Sequence, residues 1–240
     1  MMSQNSGAQI CESGRMGSYE RAIRRGAHNR CWVVLHINLK FMAIWMVEEC
    51  KMPDLADLEQ LKPALLAQVM GGEPGLSLGQ RLARRNFVRL IDKAASEYQR
   101  SRQTIVDQVQ ESQRPAAAKG ERVLDTLAFT DYFETCINAI SRLLKQLERM
   151  KATKANFPID KLERKLVESY SSDLQDIRDG IEHMDEWIQK DKVLEGQTIM
   201  LAISDNGEGA VFGKYCVKFE DVAKLIRRLH EIGSKILGSP

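Results

Sequence analysis

Apolar residues recur at steps of three and four along most of the chain, which is the spacing of one face of an α-helix. The pattern predicts a short helix that ends at Val69 and has Asp54 as its N-cap. It also predicts long helices over about 77–113 and 121–151, and a further helix that Asp160 can cap. Glycine- and proline-containing segments separate these stretches, so we expect distinct helices joined by loops.

The period changes from helical to strand-like after Gly196. Two β-like segments, QTIMLAIS and AVFGKYCVKF, flank DNGEG, in which Asn206–Gly207 is a strong hairpin signal. A last amphipathic helix is predicted from about Asp221. The whole pattern predicts a mainly α protein, an antiparallel bundle of four to five helices with a β-hairpin at about 197–219 inserted before the last helix.

The N-terminal part of the chain differs from the rest. Residues 1–30 are rich in Gly, Ser, Asn and Arg and show no periodicity. The apolar stretch that follows, 31–47, is short for a membrane span and contains His36, Asn38 and Lys40, which disfavours a membrane anchor.

A natural-looking start lies further along, at Met52, where MPDLADLEQLKPAL combines an acidic N-cap with a helical apolar stripe. We therefore interpret residues 1–53 as a poorly ordered or non-native extension. Residues 54–240 are predicted to form one helical domain.

Composition limits the classes of function. The chain has 240 residues, is 43% hydrophobic and carries a net charge of +2, so it can bury a core and any nucleic-acid binding must come from local patches. Its five cysteines are scattered without a CxxC pair, which argues against disulfides and zinc and favours reduced thiols in the cytoplasm. No phosphate-binding glycine loop or metal-ligand pair occurs, so we predict neither a cofactor nor a metal.

One short stretch, IRDGIEHMDEW at residues 177–187, carries the candidate chemistry. Arg178 is followed at once by Asp179, and His183 comes five positions after the arginine. An apolar stripe runs through the stretch at helical spacing, so these side chains are predicted to lie on a helix.

RDGIEH resembles the signature of the HEPN superfamily, which is arginine, a polar residue, three residues and histidine in a late helix of an all-α bundle. The resemblance covers six residues in sequence and about 77–237 in architecture. Many members of that superfamily are metal-independent endoribonucleases and are commonly dimeric. The resemblance implies a ribonuclease that acts as a toxin or as a stress or defence effector, and a homodimer or an antitoxin or other protein partner. A hairpin before the last helix is not general in that superfamily.

Metal-free RNA cleavage uses the 2′-hydroxyl as the nucleophile. His183 could remove its proton, because an imidazole titrates near neutrality, and Arg178 could offset charge on the phosphate. Asp179 lies four residues before His183 and could orient the imidazole. On a straight helix, however, positions 178 and 183 point about 140° apart, so we expect either a helix distortion at Gly180 or a cleft shared by two chains.

The alternative interpretation is an ordinary charged helix face on a non-catalytic bundle that binds a protein partner or RNA. Arg178–Glu182 and Asp179–His183 are both i,i+4 pairs of opposite charge, which helix surfaces carry routinely. A weaker RNA-binding hypothesis concerns a basic segment of the first long helix. Its four arginines, which fall within about 140° of helix surface, are Arg81, Arg84, Arg85 and Arg89.

Overall fold

The chain divides into two units, Met1–Met46 and Val47–Pro240. The computed structural model describes residues 49–73, 75–115, 127–152, 161, 165, 171–193 and 200–238. The first unit, with its candidate membrane stretch, therefore lies outside the described residues, as do Asp160 and residues 121–126. Within the described part, no helix is both long and apolar enough to cross a membrane.

The second unit is mainly helical and carries a small antiparallel sheet before its last helix. Its described helices are α1 (Lys62–Met70), α2 (Leu78–Ser112), α3 (Ala128–Ala152), α4 (Ser171–Glu182), α5 (Met184–Gln189) and α6 (Phe219–Gly238). The strands are β1 (Ala202–Ile203), β2 (Gly209–Phe212) and β3 (Tyr215–Lys218).

Helix α2 confirms the long helix predicted over 77–113. Ser77 is its N-cap, and a capping box joins the Ser77 hydroxyl to the amide of Gln80 while the Gln80 side chain accepts from the Ser77 amide. Both partners are local in sequence, so the start of this helix is encoded by the residues that form it. Helix α3 matches the next predicted helix over its described length.

The start of α1 is not where the sequence placed it, and the prediction of Asp54 as its N-cap is wrong. The Asp54 carboxylate instead accepts from the Ala56 amide at 2.8 Å, in a turn that precedes the helix. Helix α1 begins only at Lys62, and its first amides are bound by a residue of α2. The buried Asp92 carboxylate accepts from the amides of Leu61 and Lys62, both at 2.9 Å.

Helix α2 runs antiparallel to both α3 and α6. Asn86 donates to Gln146 near one end of the α2–α3 pair, whereas the rings of Tyr98 and Phe133 lie 6.4 Å apart further along. Against α6, the Tyr98 hydroxyl donates to the carbonyl of Phe219 at 3.4 Å. The three-way junction is aromatic, because Phe133 is also edge-on to Phe219, with ring centroids 5.5 Å apart.

The packed unit begins before residue 54, where the predicted domain began. Met52 and Leu55 are each only 2% exposed. The Arg102 guanidinium donates to the carbonyl of Met52 at 3.1 Å, and the Cys50 thiol contacts the carbonyl of Arg102. Met52 is therefore part of the core.

The predicted hairpin is one part of a three-stranded sheet with the order β1-β2-β3. The segment predicted as one strand, AVFGKYCVKF, turns back on itself, because Phe212 pairs with Tyr215 and Gly213 between them has a φ of 60°. A positive φ at the first loop residue is typical of a type II′ turn. In the earlier loop only Gly207 takes a positive φ, of 72°, whereas Asn206 accepts from the Glu208 amide through its side chain.

We expect Asp92→Asn to lower the free energy of unfolding by about 1–3 kcal/mol, because the amide group places a donor against one of the two α1 amides and leaves it unsatisfied. Urea denaturation followed by circular dichroism measures the change. Asp176→Asn, at an exposed helical aspartate, is the matched control and should stay within about 0.5 kcal/mol of the wild type. Equal stability of the two variants would contradict the capping role of Asp92.

Candidate functional site

The motif lies on α4 and at its junction with α5. Leu174 and Ile177 bury one side of α4, which confirms the apolar stripe through this part of the chain. The helix is interrupted at His183, whose backbone has φ −102° and ψ 7° and which separates α4 from α5. The helix irregularity therefore falls at His183, three residues after Gly180, where a distortion was one of the two arrangements expected.

The Arg178 guanidinium is bound to its own helical neighbours. Its Nη1 lies 3.1 Å from the Asp179 carboxylate, and its Nη2 pairs with Glu182. The side chain is 18% exposed, so most of its surface is covered. The predicted Arg178–Glu182 pair is thus present, and it engages the cation that would have to meet a phosphate.

The His183 side chain is exposed to solvent, and it contacts a carboxylate that Arg178 does not use. Its side chain is 59% exposed, and Nδ1 lies 3.4 Å from the carboxylate of Glu186. A hydrogen bond from Lys190 holds the pKa of Glu186 below its usual range, so that acid stays ionised beside the imidazole. Asp179 contacts Arg178 rather than His183, so the expected Asp179–His183 side-chain pair is not among the contacts of the described residues.

The charge around the motif is negative. Helices α4 and α5 together carry six carboxylates and one arginine. A phosphate approaching this face would meet repulsion from most of these groups. Within one chain, the structure therefore gives Arg178 and His183 separate acidic partners and does not bring the two side chains to a common anion site.

Gly180, in the middle of the motif, has a packing role. A Cβ at this position would lie 2.9 Å from two ring carbons of Phe212 and 3.4 Å from the ring of Trp187. Phe212 is 2% exposed and ends β2, so the sheet packs directly onto the α4 backbone here. The glycine of RDGIEH is explained by this close approach without any reference to catalysis.

The predicted patch of four arginines on α2 is only partly on the surface. Arg84 is 4% exposed and its Nη2 lies 2.7 Å from the Glu73 carboxylate, while Arg85 Nε donates to the other Glu73 oxygen at 3.1 Å. Arg84 therefore cannot contact RNA from this position, which corrects that part of the patch. Arg81 is partly exposed, and Arg89 is exposed and donates to Asn86.

Glu73 fixes the loop between α1 and α2. Its side chain is fully covered, and its φ of 44° lies in the left-handed region between Gly72 and Gly75, both also at positive φ. Burial alone would raise the pKa of Glu73, but the hydrogen bonds from Arg84 and Arg85 outweigh it and hold the pKa below its usual range. The loop is thus anchored by a charge cluster.

A groove of about 780 Å³ lies between the first turns of α2 and the last turns of α3. The residues that line it are Ser77, Gly79, Gln80, Leu82, Ala83, Asn86, Arg142, Lys145, Gln146, Arg149 and Met150. Gln146 closes its floor, because it accepts from Asn86 and donates to the carbonyl of Ala83.

Three cations on α3 form one wall of this groove: Arg142, Lys145 and Arg149 are all exposed. They fall within about 60° of helix surface, at spacings of three and four residues. Among the described residues none of them has a carboxylate within ion-pair distance. We refer to this feature as the basic groove. Sequence reasoning missed it, although the i, i+3, i+7 spacing of the cations in SRLLKQLER was a usable signal.

No protein-family profile, curated protein or solved structure matches this chain. Within the described residues, no group of three histidine, cysteine or acidic side chains is arranged to hold a metal ion. The case for a function therefore comes from the geometry of the chain itself.

Gly180→Ala should destabilise the protein by about 1–3 kcal/mol, because the methyl group overlaps the Phe212 ring and the helix backbone or the sheet must shift. A double-mutant cycle with Phe212→Leu measures the coupling. The cost of Gly180→Ala should be smaller in the Phe212→Leu background than in the wild type. An unchanged cost in both backgrounds would show that the contact does not constrain residue 180.

Proposed function

We propose that this chain is a non-catalytic helical module that binds an anionic macromolecule in the basic groove between α2 and α3. The observation that carries the proposal is the row of Arg142, Lys145 and Arg149, exposed along a groove without carboxylate partners among the described residues. Unpaired cations along a concave surface attract an extended anion, and the chain's net charge of +2 provides no competing global field.

The HEPN-like ribonuclease is the second candidate, and it needs two copies of the chain. The observation in its favour is that the His183 imidazole is 59% exposed at a break between two helices, where a partner chain or substrate can reach it. The acidic surroundings count against this candidate, because Arg178 would have to leave its ion pairs with Asp179 and Glu182 to bind a phosphate. A homodimer that neutralises these acids is the arrangement this candidate requires.

The first test neutralises the groove in the full chain with Arg142→Gln, Lys145→Gln and Arg149→Gln together. Binding is followed by fluorescence anisotropy with two labelled anions, a uridine oligonucleotide and a polyglutamate peptide. We expect affinity for at least one of them to fall by about tenfold or more, and its salt dependence to flatten, because three cation contacts are lost.

The control for this test removes the same charge elsewhere, through Lys93→Gln, Lys192→Gln and Lys214→Gln, which are exposed and do not line the groove. The control variant should bind both anions as the wild type does. Equal losses in the two triple variants would contradict a groove-specific site and indicate a non-specific charge effect.

The ribonuclease candidate is tested with His183→Ala, and with His230→Ala as a matched histidine control outside the motif. We expect neither the wild type nor either variant to cleave RNA, because Arg178 and His183 are held by separate carboxylates. Gel analysis of a labelled RNA and sedimentation of the same samples give the readouts. Cleavage by the wild type and the His230 variant, lost in a folded His183 variant that remains a dimer, would favour the ribonuclease instead.

A further inference from the structure

The basic groove has two chemically different walls. The α3 wall is cationic, as described above. The α2 wall presents Leu82, which is 54% exposed. Leu78, which is 64% exposed, lies one helical turn before Leu82 and just outside the groove lining. Together the two leucines form a small exposed apolar surface at the edge of the groove, which a ligand in the groove could cover.

The rest of the groove lining is mixed, with the polar side chains of Ser77, Gln80, Asn86 and Gln146 beside a few apolar residues. Ala83 and Met150 line it between the two walls, together with the methylene stems of the cationic side chains. Met150 is only 4% exposed, so Leu82 and Ala83 supply most of the apolar surface that the non-polar face of a helix could contact. The groove therefore offers both apolar contact and charge pairing to one ligand.

Nucleic acid matches only the charged wall. Single-stranded RNA is held mainly by stacking of its bases on aromatic side chains, in addition to phosphate contacts. None of the described residues that line the groove is aromatic. The exposed leucines would lie against phosphates or sugars in such a complex and would gain little from being covered.

We propose that the occupant of the basic groove is an acidic amphipathic helix of a partner protein, an inference that rests on the function proposed above. Its apolar side packs on Leu78 and Leu82, and carboxylates on its flank pair with Arg142, Lys145 and Arg149. This is helix-in-groove recognition, in which apolar anchors supply affinity and charge complementarity supplies orientation and selectivity.

The length of the cationic row fits such a ligand. Arg142 and Arg149 are seven residues apart, which corresponds to two turns, or about 10 Å along the helix axis. A partner helix that carries Glu or Asp at i, i+3 or i+4, and i+7 presents carboxylates over the same rise. Two turns of such a helix can thus match all three cations while its other side faces the leucines of α2.

The probe is a synthetic helical peptide of about 18 residues with leucines on one face and glutamates on the flanks, bound to the full chain and measured by anisotropy. Two further peptides are compared with it, one with its leucines replaced by serine and one with its glutamates replaced by lysine. A uridine oligonucleotide is the fourth probe. We expect the acidic amphipathic peptide to bind at least about tenfold more tightly than the other three.

The discriminating variant is Leu78→Ser with Leu82→Ser, which removes the two exposed leucines at the groove and its edge and keeps every charge. It should weaken the acidic amphipathic peptide by about tenfold and leave the oligonucleotide unchanged. Leu66→Ser with Met70→Ser is its control, because those side chains are also exposed, at 62% and 82%, and do not line the groove.

Two results separate failure of this inference from failure of the proposed function. If the oligonucleotide binds more tightly than the peptide, depends on the three cations and ignores the leucines, the occupant is a nucleic acid and the protein-helix inference is wrong. If no probe responds to neutralisation of the three cations, both the occupant and the basic groove as a binding site are wrong.

Discussion

Burial of the apolar stripe of α2 is the constraint on which the other elements depend. This helix is 35 residues long, and α1, α3 and α6 all pack against it. Its residues Phe87 and Tyr98 are fully covered, and Tyr98 contacts both α3 and α6. The antiparallel contact with α3 then leaves the first turns of α2 beside the last turns of α3, which creates the basic groove.

Two buried carboxylates hold the two ends of α1, and they do so with different partners. Asp92 accepts from backbone amides, whereas Glu73 accepts from two guanidinium groups. Each carboxylate is covered and each has donors for both of its oxygens, which is the condition under which burial of a charge is tolerated. The Glu73 cluster uses Arg84 and Arg85, two of the four arginines that the sequence analysis assigned to an RNA-binding surface.

Features that depend on residues close together in the sequence were predictable, whereas features that depend on residues far apart in the sequence were not. Helix α2 was predictable because its stripe and its Ser77 capping box are local. The start of α1 was not, since its amides are bound by Asp92, which lies 31 residues away from Leu61. The burial of Arg84 was not predictable either, because it depends on the ion pair with Glu73, a loop residue in the left-handed conformation.

At the candidate motif, the local Arg178–Glu182 pair was predictable from helical spacing and is present. It was not predictable that Asp179 would contact Arg178 and not His183, because this depends on the rotamers that these three side chains adopt. The need for glycine at position 180 was also not predictable. It arises from the close approach of the Phe212 ring, and Phe212 lies in a strand that the sequence analysis placed within one longer strand.

The attachment of α1 has a consequence for how the protein opens. None of the side chains within α1 is fully buried, while both flanks of the helix are held by charge, at Asp92 before it and Glu73 after it. Acid that protonates Glu73, whose pKa is depressed, removes one of these attachments while the aromatic junction of α2, α3 and α6 is untouched. Helix α1 should therefore exchange its amide hydrogens as a separate unit, well ahead of the core, as the pH is lowered.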